Sequence, residues 1–288
     1  MITEKLNKAV SRALSENRAR VVKVDCEGTV VWVKRAVRTK KRFGHRVQDM
    51  LARLLRIDLL RLTCDVTGRP ALDREAAIIR ALAAKGARVP EVIGVDDDWL
   101  AISDLGENLR RQMDRAGDVR ELRDIALAAA YALRKLHAID AWHGNPLVRN
   151  MAGPIDRIGF IDFEEDPAKH MDRASCRARD ILLFLFSLAP FETRSPGLLR
   201  EAALVVVQGQ SDEVIAKLRF THRLVAPLNR VLTPAKAVLG RDVRQAMSLC
   251  TALEVVRKRS KPVVSWTVVS GVGTLMLILL YTIMRTDD

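Results

Sequence analysis

Between Trp142 and Asp166 the chain reads WHGNPLVRNMAGPIDRIGFIDFEED, which gathers His143, Asn145, Asn150 and Asp162 into one short stretch. Asn150 and Asp162 both offer oxygen donors of the kind a hard cation such as Mg2+ takes. Asp162 follows the apolar run IGFI, so its carboxylate is expected to emerge at a strand end. Two more charged residues stand where regular structure would carry them toward the same place. Lys34 ends the strand-like run VVWVK, and Glu75 lies one turn into a helix. A strand lysine, a helix glutamate, a loop amide and a strand-end aspartate make up what a magnesium-bound nucleotide needs. The cation neutralises phosphate charge, the lysine holds the phosphates, and the glutamate orients the lysine. His143 is read as a structural turn histidine. His137 and His143 do not share a helical face, so no metal site is expected from that pair.

The elements that must position these residues are legible along the chain. Residues 3–18 form an amphipathic helix. RVVKVDCEGTVVWVKRA is a hairpin, with β-rich runs Val21–Val24 and Thr29–Lys34 flanking the turn DCEG. Helical spacing returns in VQDMLARLLRIDLLRLTCDV, and GRP breaks it. ALDREAAIIRALAAKG is a helix ending at Gly86, a residue suited to the left-handed position after a helix. PEVIGVDDDWLAISDLG gives two short strands around DDD, and a helix pair spans Asn108 to His137. Helices are expected over 174–189, 197–208, 211–231 and 241–258. Strands with a few helices followed by helices alone argue an α+β fold: a small β-rich part, then a larger helical one.

On these residues the chain resembles the protein-kinase-like fold, and most closely its small bacterial and archaeal members. These are the lipopolysaccharide-core kinases and the Bud32/RIO type of atypical serine/threonine kinase. The family's catalytic-loop pattern, H-x-D then four residues and N, falls on His143, Gly144, Asn145 and Asn150. Its metal-binding D-F-G falls on Asp162, Phe163 and Glu164. Lys34 stands at the strand lysine, Glu75 at the helix glutamate, WLAISDLG at the hinge strand, and Asp180 at the acid bracing the catalytic loop. The resemblance covers about residues 20–190 and implies a two-lobed domain over 1–261. Its N-lobe would run to about residue 104 and its C-lobe over 105–261. It implies ATP and Mg2+ as cofactors: Lys34, Glu75 and Gly28 would serve the nucleotide, Asn150 and Asp162 the metal, and Asn145 and Asp162 catalysis. Three departures stand out. No G-x-G-x-x-G precedes Lys34, leaving only Gly28 in the hairpin turn for the phosphate-covering role. Glu164 replaces the D-F-G glycine. Asn145 replaces the base, and an amide does not accept a proton as a carboxylate does.

Composition sets the wider frame. The chain has 288 residues, 49% of them apolar, enough for a packed core, and a net charge of +13. Such a balance points to an anionic partner. With aromatics at 5% and no stacking platform, nucleic acid is a poor candidate beside nucleotide or lipid. The cysteines Cys26, Cys64, Cys176 and Cys250 match no metal spacing and read as reduced thiols. The first twenty residues lack the apolar stretch of a signal peptide.

Val263 to Met284 carries no charge and as a helix would span about 33 Å, enough to cross a bilayer. Trp266 and Tyr281 suit its two interfaces. Arg257, Lys258, Arg259 and Lys261 precede it, which keeps the large domain cytoplasmic. A single-pass helix over 262–284 in the cytoplasmic (inner) membrane is therefore expected, with a tail of 285–288 outside. The basic run Lys34 to Arg46 has two readings, a solvated face or a surface for anionic lipid headgroups. The expected function is phosphotransfer from ATP to a hydroxyl on a protein or a lipid-linked sugar. The alternative is a pseudokinase, a membrane-bound module that binds nucleotide without turnover. A scaffold that binds no nucleotide is a third reading.

Overall fold

The structure is a computed structural model that describes residues 2–26, 28–36, 67–232 and 241–257. The basic run beyond Ala36, the helix expected over the following residues up to Val66, Cys64 and the apolar run 263–284 lie outside the described residues. Among the described residues no helix is long and apolar enough to cross a membrane.

The chain is α+β: a small antiparallel sheet followed by a mostly helical region. Helix α1 (Ile2–Glu16) leads into strands β1 (Val21–Cys26) and β2 (Thr29–Arg35). These pair from Val21↔Lys34 at one end to Cys26↔Thr29 at the other, where Gly28, at φ +82°, turns the chain and donates its N–H to Asp25 Oδ1 (2.8 Å). Helix α2 (Arg69–Ala84) comes next, then β3 (Val92–Val95) and β4 (Trp99–Ser103). The sheet order is β1-β2-β4-β3, so β1 is an edge strand.

Strand alternation gives this sheet two apolar faces. Val22, Val24, Val31 and Val33 point one way, into a small core closed by Val10 of α1 and by Trp99 and Ala101 of β4. Trp32, Leu100 and Ile102 point the other way, into the main core, which runs from α2 through the helical region without a break. Lys34 shares its parity with Trp32, so β2 carries its ammonium to the α2 side. Helix α2 buries Leu72, Glu75, Ala76, Ile79 and Leu82. That spacing is one face of a helix, and Glu75 sits inside it. Gly86 follows α2 at φ +81°, as its sequence position predicts.

The helical region starts with α3 (Leu109–Arg115) and α4 (Val119–Ala138), whose first turns are capped by the Asn108 and Asp118 side chains. After α4, β5 (Met151–Ala152) and β6 (Gly159–Phe160) make a two-stranded ribbon. The strand expected over IGFI is thus only two residues long. Its partner ends at Ala152, because Gly153 turns away at φ +108°. Helix α5 (Arg173–Leu188) is capped by Asp172 and buried on nearly every side, which makes it the central rod of this region. Around it lie α6 (Leu198–Val206), α7 (Asp212–Leu232), α8 (Arg241–Ala252) and the short α9 (Glu254–Arg257). The last two divide the single helix expected over 241–258.

Candidate functional site

Lys34 is buried among carboxylates. Its Nζ donates to Glu75 Oε1 at 2.6 Å and to Asp162 Oδ1 at 2.6 Å, and Glu164 Oε1 lies 3.8 Å away. Lys34 and Glu75 are buried, whereas the Asp162 side chain is 39% exposed. Glu75 Oε1 also accepts the Phe163 N–H at 3.2 Å, so one buried carboxylate fixes both the lysine and the chain beside Asp162. Burial alone would lower the Lys34 pKa; the charges of Asp162, Glu75 and Glu164 outweigh it, and the net direction is up. Burial alone would likewise raise the Asp162 pKa, but the Lys34 ammonium brings it down to about 2. Glu164 goes the other way, to about 7, because burial and the Asp162 charge both disfavour its ionised form.

Asp162 has φ +70°, the left-handed region that a non-glycine residue occupies at a cost. The segment is held there from both sides. Phe163 is bound to Glu75, and Arg74 Nη2 donates to the Glu164 carbonyl at 2.7 Å.

The loop carrying Asn145 and Asn150 is built around a second buried carboxylate. Asp180, on α5, accepts the N–H of His143 (2.7 Å) and of Gly144 (2.8 Å), and faces His137 Nε2 at 3.2 Å. Gly144, at φ +93°, has no room for a side chain: a Cβ would lie 2.9 Å from Pro167 Cδ. His143 Nδ1 accepts the Asn145 N–H (3.2 Å), so its protonated Nε2 donates to the Ile161 carbonyl (2.9 Å). The imidazole stacks on Phe163 at 4.6 Å between centroids. Burial lowers its pKa against the opposing pull of Asp180.

Asn150 is brought to Asp162 by the backbone. Its carbonyl accepts the Ile161 N–H at 2.9 Å, one residue before the aspartate. Its side-chain Nδ2 donates to the Asn145 carbonyl at 2.9 Å, which leaves Oδ1 without a hydrogen bond among the described residues. The second oxygen of Asp162 also has no hydrogen bond among the described residues. Asn150 and Asp162 are thus side chains with oxygens suited to a hard cation on neighbouring backbone segments, with the Lys34 ammonium bound to Asp162. Among the described residues no group of three or more His, Cys, Asp or Glu could hold a metal, so such a cation would need further oxygens from a ligand.

Lys34, Glu75, Asp162, Asn150 and Asn145 are therefore assembled from separate parts of the chain. Gly28 is not among them. It closes the β1–β2 hairpin at the end opposite Lys34, about 20 Å along the strand. The strand register sets Gly28, expected to cover phosphates, apart from Lys34. Arg20 and Arg74 join the site without a signal in the sequence, because their partners at Glu164 lie far along the chain.

The chain is 26% identical to an uncharacterized protein of Haemophilus influenzae over 137 residues. The match covers 47% of this chain and 56% of that relative, so the chain spans about half the length of the curated protein it matches. No protein-family model matches the chain.

Proposed function

We propose that this chain is a kinase-like, two-lobed protein that binds ATP with Mg2+ between its sheet and its helical region and transfers the terminal phosphoryl group to a hydroxyl. One observation carries the reading: a buried lysine held at 2.6 Å by both a helix carboxylate and the aspartate after β6. That triad is separated by long stretches of chain, and its fixed, desolvated ammonium is suited to phosphate oxygens. Asp162 and Asn150 supply the two oxygens that fit Mg2+, which commonly takes one or two protein ligands and completes its shell with phosphates and water. When bound, the cation neutralises charge on the phosphates as the bond to the leaving diphosphate breaks.

The protein's own part is positioning. Glu75 holds Lys34, Asp180 holds the backbone of the Asn145 loop, and Asn145 stands where the acceptor hydroxyl would be oriented. As the hydroxyl oxygen bonds to phosphorus, ADP departs and the hydroxyl proton leaves to solvent or phosphate. General-base help is worth about 10²–10⁴-fold, so a site without it is slow but not inert.

The alternative reading, a pseudokinase that binds nucleotide without turnover, is favoured by a specific contact. Of the acids that could replace the missing base, Glu164, Glu165 and Asp166, Glu165 is tied to buried Arg179 at 2.5 Å and Glu164 to Arg20. The full-length chain, purified in detergent, separates the two readings. Enzyme function requires Mg-ATP binding and turnover that Asp162→Ala abolishes and Asn145→Asp raises. Binding with no turnover, unrescued by Asn145→Asp, assigns the module, and absence of binding rejects both. We place the chain at the cytoplasmic membrane through 263–284, with a membrane-bound protein or lipid-linked acceptor whose effective concentration the anchor would raise. Recovery of the chain in the soluble fraction of lysed cells would overturn that placement.

A further inference from the structure

The hairpin turn at Gly28 faces away from Lys34, so another segment must lie over the lysine end of β2. That segment is the junction between α1 and β1, residues 17–20. It is pinned from below: Arg35 Nη2 donates to the carbonyls of Leu14 (2.5 Å) and Asn17 (2.8 Å), and the Arg35 N–H donates to the Arg20 carbonyl (2.8 Å). The Asn17 side chain closes the turn by accepting the Ala19 N–H at 2.8 Å. Arg20 is thereby fixed at the start of an edge strand. Its guanidinium donates to Glu164 Oε1, the same oxygen that lies 3.8 Å from Lys34 Nζ.

One carboxylate oxygen therefore sits between two cations, at the mouth of the proposed nucleotide site. It does so beside Asp162, whose like charge repels it. Arg74 grips the main chain of Glu164, not its side chain, and its own Nε and Nη1 are buried without hydrogen-bond partners among the described residues. The Glu164 side chain is thus free to leave while its backbone stays.

We propose that Arg20 is the ligand for the terminal phosphate of a nucleoside triphosphate, and that Glu164 occupies this position until the phosphate displaces it. The proposal rests on the nucleotide-binding reading above and names the part of the ligand this corner recognises. A phosphate brings more acceptor oxygens than a carboxylate and matches the guanidinium fork, so the exchange strengthens both cation contacts. A side chain here does what main-chain amides of a glycine-rich loop do elsewhere.

The test is calorimetric titration of the full-length chain with ATP and with AMP, each with Mg2+. Arg20→Ala should weaken ATP binding about tenfold or more and change AMP binding by less than about twofold, since a charge-assisted hydrogen bond is lost only with the longer ligand. Arg20→Lys should fall between. Glu164→Gln should tighten ATP. Arg12→Ala, which removes one positive charge from an exposed position on α1, should leave both unchanged. Equal ATP affinity for Arg20→Ala and the unsubstituted chain overturns the Arg20 assignment and leaves the nucleotide reading intact. Parallel weakening of ATP and AMP also overturns it, because Arg20 would then act on the shape of the site. Failure of the unsubstituted chain to bind ATP overturns both. Should Arg20→Ala not fold, unchanged ATP binding in both Arg20→Lys and Glu164→Gln is the result that rejects the proposal.

Discussion

Asp162 and Asp180 are both carboxylates beside the Asn145 loop, but their surroundings differ in kind. Asp180 is fully buried and takes two backbone N–H groups and the His137 ring nitrogen, so nearly all its bonding capacity is used within the protein. Asp162 is 39% exposed, bonds one ammonium through one oxygen, and sits in a strained backbone conformation. A buried, satisfied carboxylate organises structure. A half-exposed, half-satisfied one, held against its backbone preference, is disposed toward something outside the chain. The two clusters meet at His143 and Phe163, whose stacked rings carry the order of the first toward the second.

The largest effect expected from this contrast is at Asp180. Asp180→Ala leaves two buried N–H groups and a ring nitrogen without an acceptor, and should cost about 3–5 kcal/mol in urea unfolding. A loss below about 1 kcal/mol would show that the loop does not depend on this carboxylate.

Lys34 comes next, because it belongs to both kinds of environment. Lys34→Met should reduce Mg-ATP affinity at least about tenfold and cost about 2–3 kcal/mol, since Glu75 is left buried without its counter-charge. Lys34→Met with Glu75→Gln should regain most of that stability and none of the binding. If the double variant is as unstable as the single one, the charge pairing is not what the lysine contributes to the fold.

At Asp162 the two properties should separate fully. Asp162→Gly removes the proposed metal ligand but suits φ +70°, so Mg-ATP binding should be lost while stability stays within about 1 kcal/mol of the unsubstituted chain. The pH dependence follows from the sign of the shift. The folded-state pKa of Asp162, about 2, lies below its ordinary 3.8. Its contribution is therefore present above about pH 4 and is lost as pH falls toward 2. Unfolding followed across that interval should show a shallower decline for Asp162→Asn than for the unsubstituted chain.

The smallest effect is a difference in labelling. Cys176 lies one turn before Asp180 on α5, and burial, with the Asp180 charge second, pushes its thiol up to about 12. Burial does the same for Cys250. Of the described cysteines, iodoacetamide at pH 8 should modify part-exposed Cys26 first and spare Cys176 and Cys250 until the protein unfolds. Early labelling of Cys176 would mean that the Asp180 shell opens more readily than its bonding implies.

Much of the fold was legible because it rests on local periodicity. The hairpin, α2 with its closing Gly86, the α3–α4 pair and the helices around α5 fall within a few residues of their expected places. The ribbon after α4 was overestimated, since Gly153 cuts its partner strand short. The long helix near the C-terminus divides at Leu253. Within the site, Lys34, Asn150 and Asp162 were identifiable because each ends or borders an element whose pattern is clear. Glu75 carried a further local signal, a carboxylate inside an apolar helical stripe. Arg20 and Arg74 carried none, because an arginine in a charged sequence looks the same whether it is solvated or enclosed.

The order of residues along the chain settled which faces exist. Alternation in β2 sends Lys34 opposite Val31 and Val33, and helical spacing in α2 turns Glu75 toward the core, for backbone reasons that reach no further than a few residues. Which faces meet is a matter of packing. That Lys34 reaches an aspartate 128 residues away, that the β1–β2 register puts Gly28 at the far end of the hairpin from Lys34, and that Arg20 reaches Glu164 follow from sheet order and the docking of the helical region. Those contacts depend on the shape and burial of the whole chain, and no stretch of it specifies them alone.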